Sequence, residues 1–358
     1  MLRRRSLTTA VGLAAVGALT LTACSGGSDP ETDSAEETAA AEESTEDAGG
    51  ATDEFPVTIS HALGETTIES EPQRVATWGW GSTEAALAVG VAPVGVAEQV
   101  FTVGEQALVP WVAEEYEALG AEEPVIFTDP EAGASVPYEE FVEADPDLIL
   151  APYSGVTEEQ YEVLSDIAPV VAYPEGPWTT PWDEIITITA EALGRSAAGE
   201  QVLTDIDTYF ADLAAEHPAF EGKTFAAVVD SPSEGLVYVY TPADPRVSIL
   251  EGLGVVSAPS VTELDSSDGG FFYTLSYEEL DRLESDFLIA YTYTEEEAET
   301  FGESDELQAI PAIADGNVVK VVGNVAVSSV SPPTALSYDW PDGVPAIVDQ
   351  LAELYPES

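Results

Sequence analysis

Cysteine occurs once in these 358 residues, at Cys24, so no intrachain disulfide holds the fold. Methionine also occurs once, histidine twice, and nine Lys or Arg face 68 Asp or Glu, a formal charge of -59. Each shortage excludes something. Nucleic acid is ruled out as a partner, because counterion release needs clustered Lys and Arg that this chain lacks. A histidine relay has little to draw on: His61 falls in a short predicted hairpin and His217 precedes a proline. Neither stands near a nucleophile elbow, since PYSGV and WGSTE both depart from the G-x-S-x-G spacing. GWGSTE and GLGVVS begin like dinucleotide loops and miss the last glycine. Direct metal binding needs His, Cys or carboxylates clustered at ligand spacing, and the EEEAE run at Glu295 reads as a solvated helix face. These absences predict no enzyme, no cofactor and no directly ligated metal.

Long apolar runs are scarce too. The one at residues 7–21 follows Arg3, Arg4 and Arg5, is too short to span a bilayer, and leads into Leu21-Thr22-Ala23-Cys24. That arrangement is a lipoprotein signal, with Cys24 where a lipobox places the residue that receives the lipid. Acyl chains there would anchor the protein to the extracytoplasmic face of the cell membrane. Residues 25–54 hold eleven acids and no base, in a setting of Ala, Ser, Thr and Gly. Such a segment buries too little apolar surface to offset its ordering entropy and is expected to form a disordered tether. The acidity as a whole suits solubility outside the cell.

The remainder is long enough for two α/β units with filled cores. Strands are expected near 57–60, 66–69, 75–78, 93–97, 125–127, 148–151 and 170–172, and again at 224–230, 236–240, 287–290 and 318–322. Helical spacing of Ile185, Ile188, Ala192, Leu193, Val202, Ile206, Phe210 and Leu213 predicts a strut of roughly 50 Å at 1.5 Å per residue. Gly194 and Gly199 are candidate kinks in it. The predicted organisation is a signal (1–24), a tether (25–54), a first lobe (55–180), a linking helix (181–217) and a second lobe (218–358).

One phrase occurs twice. YEEFVEADPDLILA at 138–151 returns as YEELDRLESDFLIA at 277–290, matching Tyr138, Glu139, Phe141, Asp147 and Ala151 to Tyr277, Glu278, Leu280, Asp286 and Ala290. Ser276 and Glu279 have the form of a capping box, which leaves Glu278 free, and Pro137 suits the opening turn of a helix containing Glu139. Carboxylates in a first helical turn are favoured by the helix dipole alone. Their recurrence, one per lobe, suits a partner made of two related halves.

Together with the lipobox, EPQRVATWGWGSTEAALAVGVAPVGV and IAPVVAYPEGPWTTPWDE, these phrases make the chain resemble the iron-siderophore and cobalamin substrate-binding proteins of ABC importers. The resemblance covers nearly all of residues 55–358. It implies an α/β fold of two three-layer lobes joined by a single long helix, with the ligand in the cleft between them and little lobe closure. It also implies a monomeric ferric-siderophore carrier, with haem or cobalamin as the alternative ligands, and docking of Glu139 and Glu278 onto the two permease subunits.

Ligands of open α/β sheets bind beyond the carboxyl ends of the strands. That rule selects Trp78, Trp80, Ser82, Tyr153, Ser154, Trp178 and Trp182 in the first half. In the second it selects Tyr240, Arg246, Phe271, Phe272, Tyr273, Tyr291 and Tyr293. Most are aromatic, as a bulky and partly apolar ligand requires. Of six basic residues beyond the signal (Arg74, Arg195, Lys223, Arg246, Arg282 and Lys320), Arg246 is the best placed to meet an anionic oxygen. Scarce positive charge favours a neutral hydroxamate complex over an anionic catecholate.

Overall fold

The computed structural model describes residues 53–99, 108–129 and 135–356; Cys24 and almost all of the predicted tether lie outside them. β1 (Val57–His61) and β2 (Gly64–Ile68) form the expected antiparallel hairpin, burying Ile59, His61, Thr66 and Ile68 on one face. The first sheet then collects β3 (Val75–Thr77), β4 (Gly95–Ala97), β5 (Val125–Phe127), β6 (Leu148–Leu150) and β7 (Val170–Val171). All are parallel, in the order β5-β4-β3-β6-β7. β3, β4, β6 and β7 are buried at every position, as expected of strands covered on both faces. The chain leaves β3 toward β4 and returns to β6 on the other side, so the switch of strand order lies at the carboxyl ends of β3 and β6.

The second sheet is mixed. β8 (Thr224–Ser231), β12 (Phe287–Thr292) and β13 (Val318–Val322) are parallel, while β9 (Leu236–Tyr240) runs against both β8 and β11 (Phe272–Ser276). The short β10 (Val256–Ser257) pairs with the start of β8. β10 and β11 are absent from the sequence-based expectation; β11 falls on residues 272–276, which include the expected ligand residues Phe272 and Tyr273.

The repeated phrase has a structural explanation at its aspartate. Asp147 accepts the backbone N–H of Arg74 at 2.9 Å and donates its own N–H to Arg74 O at 2.8 Å. Asp286 does the same with Thr224, at 2.8 and 2.9 Å. Each aspartate thus clips together the starts of two adjacent parallel strands, β3 with β6 and β8 with β12. The helical turns before them differ. Tyr138–Ala144 is α-helical, whereas Tyr277–Arg282 is a 3-10 helix. The capping box does not form: Ser276 Oγ donates to the Glu279 side chain at 3.1 Å instead of capping the backbone, and Arg282 holds Glu279 at 2.9 Å.

The strut is two helices rather than one. Trp182–Ala192 ends in a Schellman arrangement, with Arg195 N–H on Ala190 O, Gly194 N–H on Glu191 O, and Gly194 at φ 67°. Ser196–Glu216 then starts afresh, its first N–H and hydroxyl bound by Asp53 at 3.0 and 2.6 Å. Gly199 is not a kink. A Cβ there would lie 2.5 Å from the Ala190 methyl, so glycine permits the two helices to pack closely.

The longer helix, about 30 Å at 1.5 Å per residue, lies across both lobes. Ala198 and Val202 pack on the first lobe's core, and Leu203, Ile206, Phe210 and Leu213 on the second's. The lobes also share apolar packing without it. Ala85 and Ile186 belong to the second lobe's main cluster, and Trp111, Val112 and Tyr116 pack with Val325, Leu336 and Trp340. Removing a side chain of that size from water contributes roughly 1.5–3 kcal/mol, so the seam resists opening.

Candidate functional site

Two glycines shape the first wall. Gly79 sits at φ 88°, and a Cβ there would approach Tyr153 O to 2.2 Å; the loop after β3 therefore lies directly against the loop after β6, with Trp80 N–H donating to Tyr153 O at 3.1 Å. Gly155 lies under Trp178, whose Nε1 would be 2.6 Å from a Cβ. Trp178 itself is held at φ 58°, an unusual conformation for a bulky residue, and its N–H donates to Ser154 O. Trp80, Tyr153 and Trp178 consequently form one aromatic cluster, with ring centroids 5.5 to 6.5 Å apart.

The second lobe sets Arg246 opposite this cluster. Asp244 caps the short turn Pro245–Ser248 and takes Arg246 Nε at 2.7 Å; the guanidinium lies 3.7 Å above the Tyr240 ring and 5.7 Å from that of Tyr291. Burial opposes its charge, but Asp244 and the two tyrosines outweigh that and leave Arg246 more basic than usual. With Nε engaged, NH1 and NH2 are the groups left to meet an anionic oxygen. The other basic residues are occupied elsewhere. Arg74 binds the carbonyls of Ala144 and Asp145, Arg195 pairs with Glu71, Arg282 with Glu279, Lys320 donates to Ala298 O, and Lys223 covers the Tyr355 ring.

Between the lobes the cleft has two chambers that share Trp80, Arg246 and Pro332. The smaller, of ≈ 300 Å³, is bounded by Tyr153, Trp178, Asp244 and Phe271. The larger, of ≈ 610 Å³, is bounded by Glu84, Gln99, Trp111, Tyr240, Tyr293, Asn324 and Ser328, among others. Phe271 and Tyr293 remain 44% exposed and offer free aromatic surface to an occupant. Burial, and then Asp244, pushes the Tyr153 phenol up to about 12, so it is a hydroxyl donor at any physiological pH.

Seven of the residues selected from sequence line the cleft: Trp80, Tyr153, Trp178, Tyr240, Arg246, Phe271 and Tyr293. The other seven do not. Trp78 is buried in the first lobe's core, edge-on to Phe141, because the loop turns only after it. Ser82 and Ser154 are fully buried, and the Ser154 hydroxyl is used on Ala151 O. Trp182 and Phe272 pack against the second lobe's main cluster, and Tyr273, alternating with Phe272 along β11, faces the opposite core. Tyr291 is buried beneath Tyr240 and reaches the site through Tyr240 and Arg246. Sequence reasoning missed Glu84, Trp111 and Asn324. Glu84 had a signal, the single charge in the otherwise uncharged, largely buried helix Ser82–Ala88; Trp111 and Asn324 had none.

Glu139 and Glu278 are both exposed and make no ion pair or side-chain hydrogen bond with a described residue, while the following glutamates are engaged: Glu140 by Thr128 and Glu279 by Arg282. Each opens a segment that runs down to the start of a parallel strand, which places both acids at the carboxyl edge of their sheet, the edge that bears the cleft. Among the described residues no helix is long and apolar enough to cross a membrane, and no three His, Cys, Asp or Glu converge as metal ligands.

A family model described as periplasmic binding protein matches residues 75–322. A probable siderophore-binding lipoprotein of Bacillus subtilis, YfiY, is 29% identical over 250 residues, 67% of this chain and 70% of that one. Among solved structures, PiaA of Streptococcus pneumoniae in complex with ferrichrome superposes with a TM-score of 0.73 at 30% identity, covering 83% of this chain and 97% of that one. A periplasmic solute binding protein of Mycobacterium smegmatis gives 0.68 at 26% identity, over 84% and 98%.

Proposed function

The chain belongs to the periplasmic binding protein family, a family of substrate-binding transporter components, and from that premise we propose that it captures a ferric siderophore and delivers it to an ABC importer. The observation that carries this is Arg246, the one basic residue among those described that is turned to the cleft, set over Tyr240 and opposite Trp80, Tyr153 and Trp178. A ferric hydroxamate presents apolar linkers to aromatic walls and its ring of iron-bound oxygens to a guanidinium and a phenol, which is the chemistry these residues supply. Highly anionic catecholates suit the site less, because a single arginine meets their charge. In this proposal Trp80, Tyr153, Trp178, Tyr240, Arg246, Phe271 and Tyr293 contact the ligand.

Lipidation at Cys24 then anchors the protein outside the cell membrane, the 25–54 segment serves as tether, and Glu139 and Glu278 engage arginines on the two halves of the permease. Haem is disfavoured by the phenols: burial raises the pKa of Tyr153, Tyr240 and Tyr291 and works against an iron-bound tyrosinate.

Tryptophan quenching tests the proposal, with ferric hydroxamates, catecholates and citrate as titrants and haem and cobalamin as controls. Submicromolar quenching by at least one ferric hydroxamate is expected. Flat titrations with every siderophore, or a Soret band on haem addition, would overturn it.

A further inference from the structure

The larger chamber contains a group that an iron-bound hydroxamate does not explain. Glu84, at the third position of the helix Ser82–Ala88, is 6% exposed and borders the cavity. Its carboxyl accepts the Trp111 Nε1–H at 3.3 Å, and no Lys or Arg pairs with it among the described residues. Five of the six basic residues beyond the signal are committed elsewhere, and the sixth, Arg246, has Asp244 as its counter-ion. Burial raises the pKa of the Glu84 carboxyl above the usual carboxylate value, as for an acid lacking a compensating charge. Across the same chamber the carboxamide of Asn324 makes no side-chain hydrogen bond to a described residue.

An acid shut from water without a cation destabilises a fold, and an apolar residue of similar size would fill the space without that penalty. Anchoring Trp111 does not require an acid, since a glutamine oxygen accepts the same bond. The missing positive charge can come from the occupant. The two chambers are also unlike in character: the smaller is ringed by Tyr153, Trp178 and Phe271, while the larger adds Glu84, Gln99, Asn324 and Ser328.

We infer that the larger chamber recognises a protonated primary amine carried on an arm of the siderophore, with Glu84 as its counter-ion and specificity-determining residue. This rests on the siderophore reading above and extends it to the ligand's charge. The iron-bound oxygens meet Arg246 at the partition between the chambers, and the ammonium arm reaches Glu84 beyond it.

The test compares a ferric linear trishydroxamate bearing a free terminal amine with the same complex N-acetylated, and with a neutral cyclic trishydroxamate. Affinities are measured by tryptophan quenching at neutral pH on the wild type and on Glu84→Gln, which retains an acceptor for Trp111. The amine form is expected to bind the wild type about tenfold more tightly than the acetylated form, and the ratio to fall to about twofold or less in the variant. Equal affinities for the two forms in the wild type, a comparison that needs no variant, would overturn the inference. So would a preference that survives intact in Glu84→Gln. Failure of all three complexes to bind would remove the ferric-hydroxamate reading on which the inference rests, whereas binding of all three without discrimination removes only the role of Glu84.

Discussion

The indole of Trp111, in the first lobe, stands edge-on to that of Trp340 near the carboxyl terminus, with ring centroids 5.3 Å apart. The pair closes an apolar seam, and together with the helix Ser196–Glu216 it makes the two lobes one packed body. A cleft built on such a seam is largely preformed, so the binding walls are held in place before any ligand arrives.

Truncating Trp111 therefore costs more than a surface tryptophan would. Trp111→Ala is expected to lower stability by about 3–5 kcal/mol, as for other large buried side chains. Trp111→Ala combined with Trp340→Ala should cost less than the sum of the two single changes, since they remove one shared contact. Urea denaturation of the three variants measures both quantities, and strict additivity would show that the rings do not support each other.

Arg246→Lys separates charge from shape. Lysine keeps the positive charge but loses the planar group that lies on Tyr240 and reaches Asp244 through Nε. Affinity for a ferric hydroxamate should fall about tenfold or more, corresponding to the loss of a charge-assisted hydrogen bond of roughly 1.5–3 kcal/mol. Isothermal titration gives the comparison; wild-type affinity in the variant would place the ligand elsewhere.

Glu139 and Glu278 are expected to act in delivery alone. Glu139→Ala and Glu278→Ala should bind ligand like the wild type yet support less iron uptake in cells, the double variant least of all. Loss of ligand binding in the isolated protein by either change would argue against a docking role, because neither residue borders the cleft.

His61 makes the hairpin sensitive to acid. It is buried, its Nε2 is 2.9 Å from Thr66 Oγ1, and burial lowers its pKa below 6.5. Below pH 6.5 the unfolded chain therefore takes up a proton that the folded chain resists. The stabilisation is complete above that pH and declines as the pH falls toward the folded-state value. Thermal melts between pH 7 and 5 should drop more steeply for the wild type than for His61→Asn, and identical slopes would exclude the histidine as the cause.

The alternation of apolar strands with helical spacing was enough to place most of both sheets, because a parallel strand covered on both faces must be apolar throughout. β11 is not legible locally because Phe272-Tyr273-Thr274-Leu275-Ser276 lies beside β9, whose partner residues are 32 to 40 positions earlier and whose pairing no local pattern reports. The break in the strut was marked by Gly194, but the role of Gly199 was not: its constraint is the Ala190 methyl on the neighbouring helix. In the candidate site, Trp80, Tyr153 and Arg246 were legible because they follow core elements at punctuated loops. Trp78, two residues before Trp80, was misplaced because residues of the same type on either side of a turn look alike until the turn is located.

By itself the sequence determined the class of fold, the two-lobed plan, the acidic character and the scarcity of cations, since all of these depend on residue type and period along the chain. Which aromatics meet across the cleft, that five of the six basic side chains beyond the signal are engaged elsewhere, and that Glu84 borders a cavity with no counter-ion among the described residues were decided only by tertiary structure. Those facts depend on distances between segments far apart in the chain, and packing, not local preference, sets such distances.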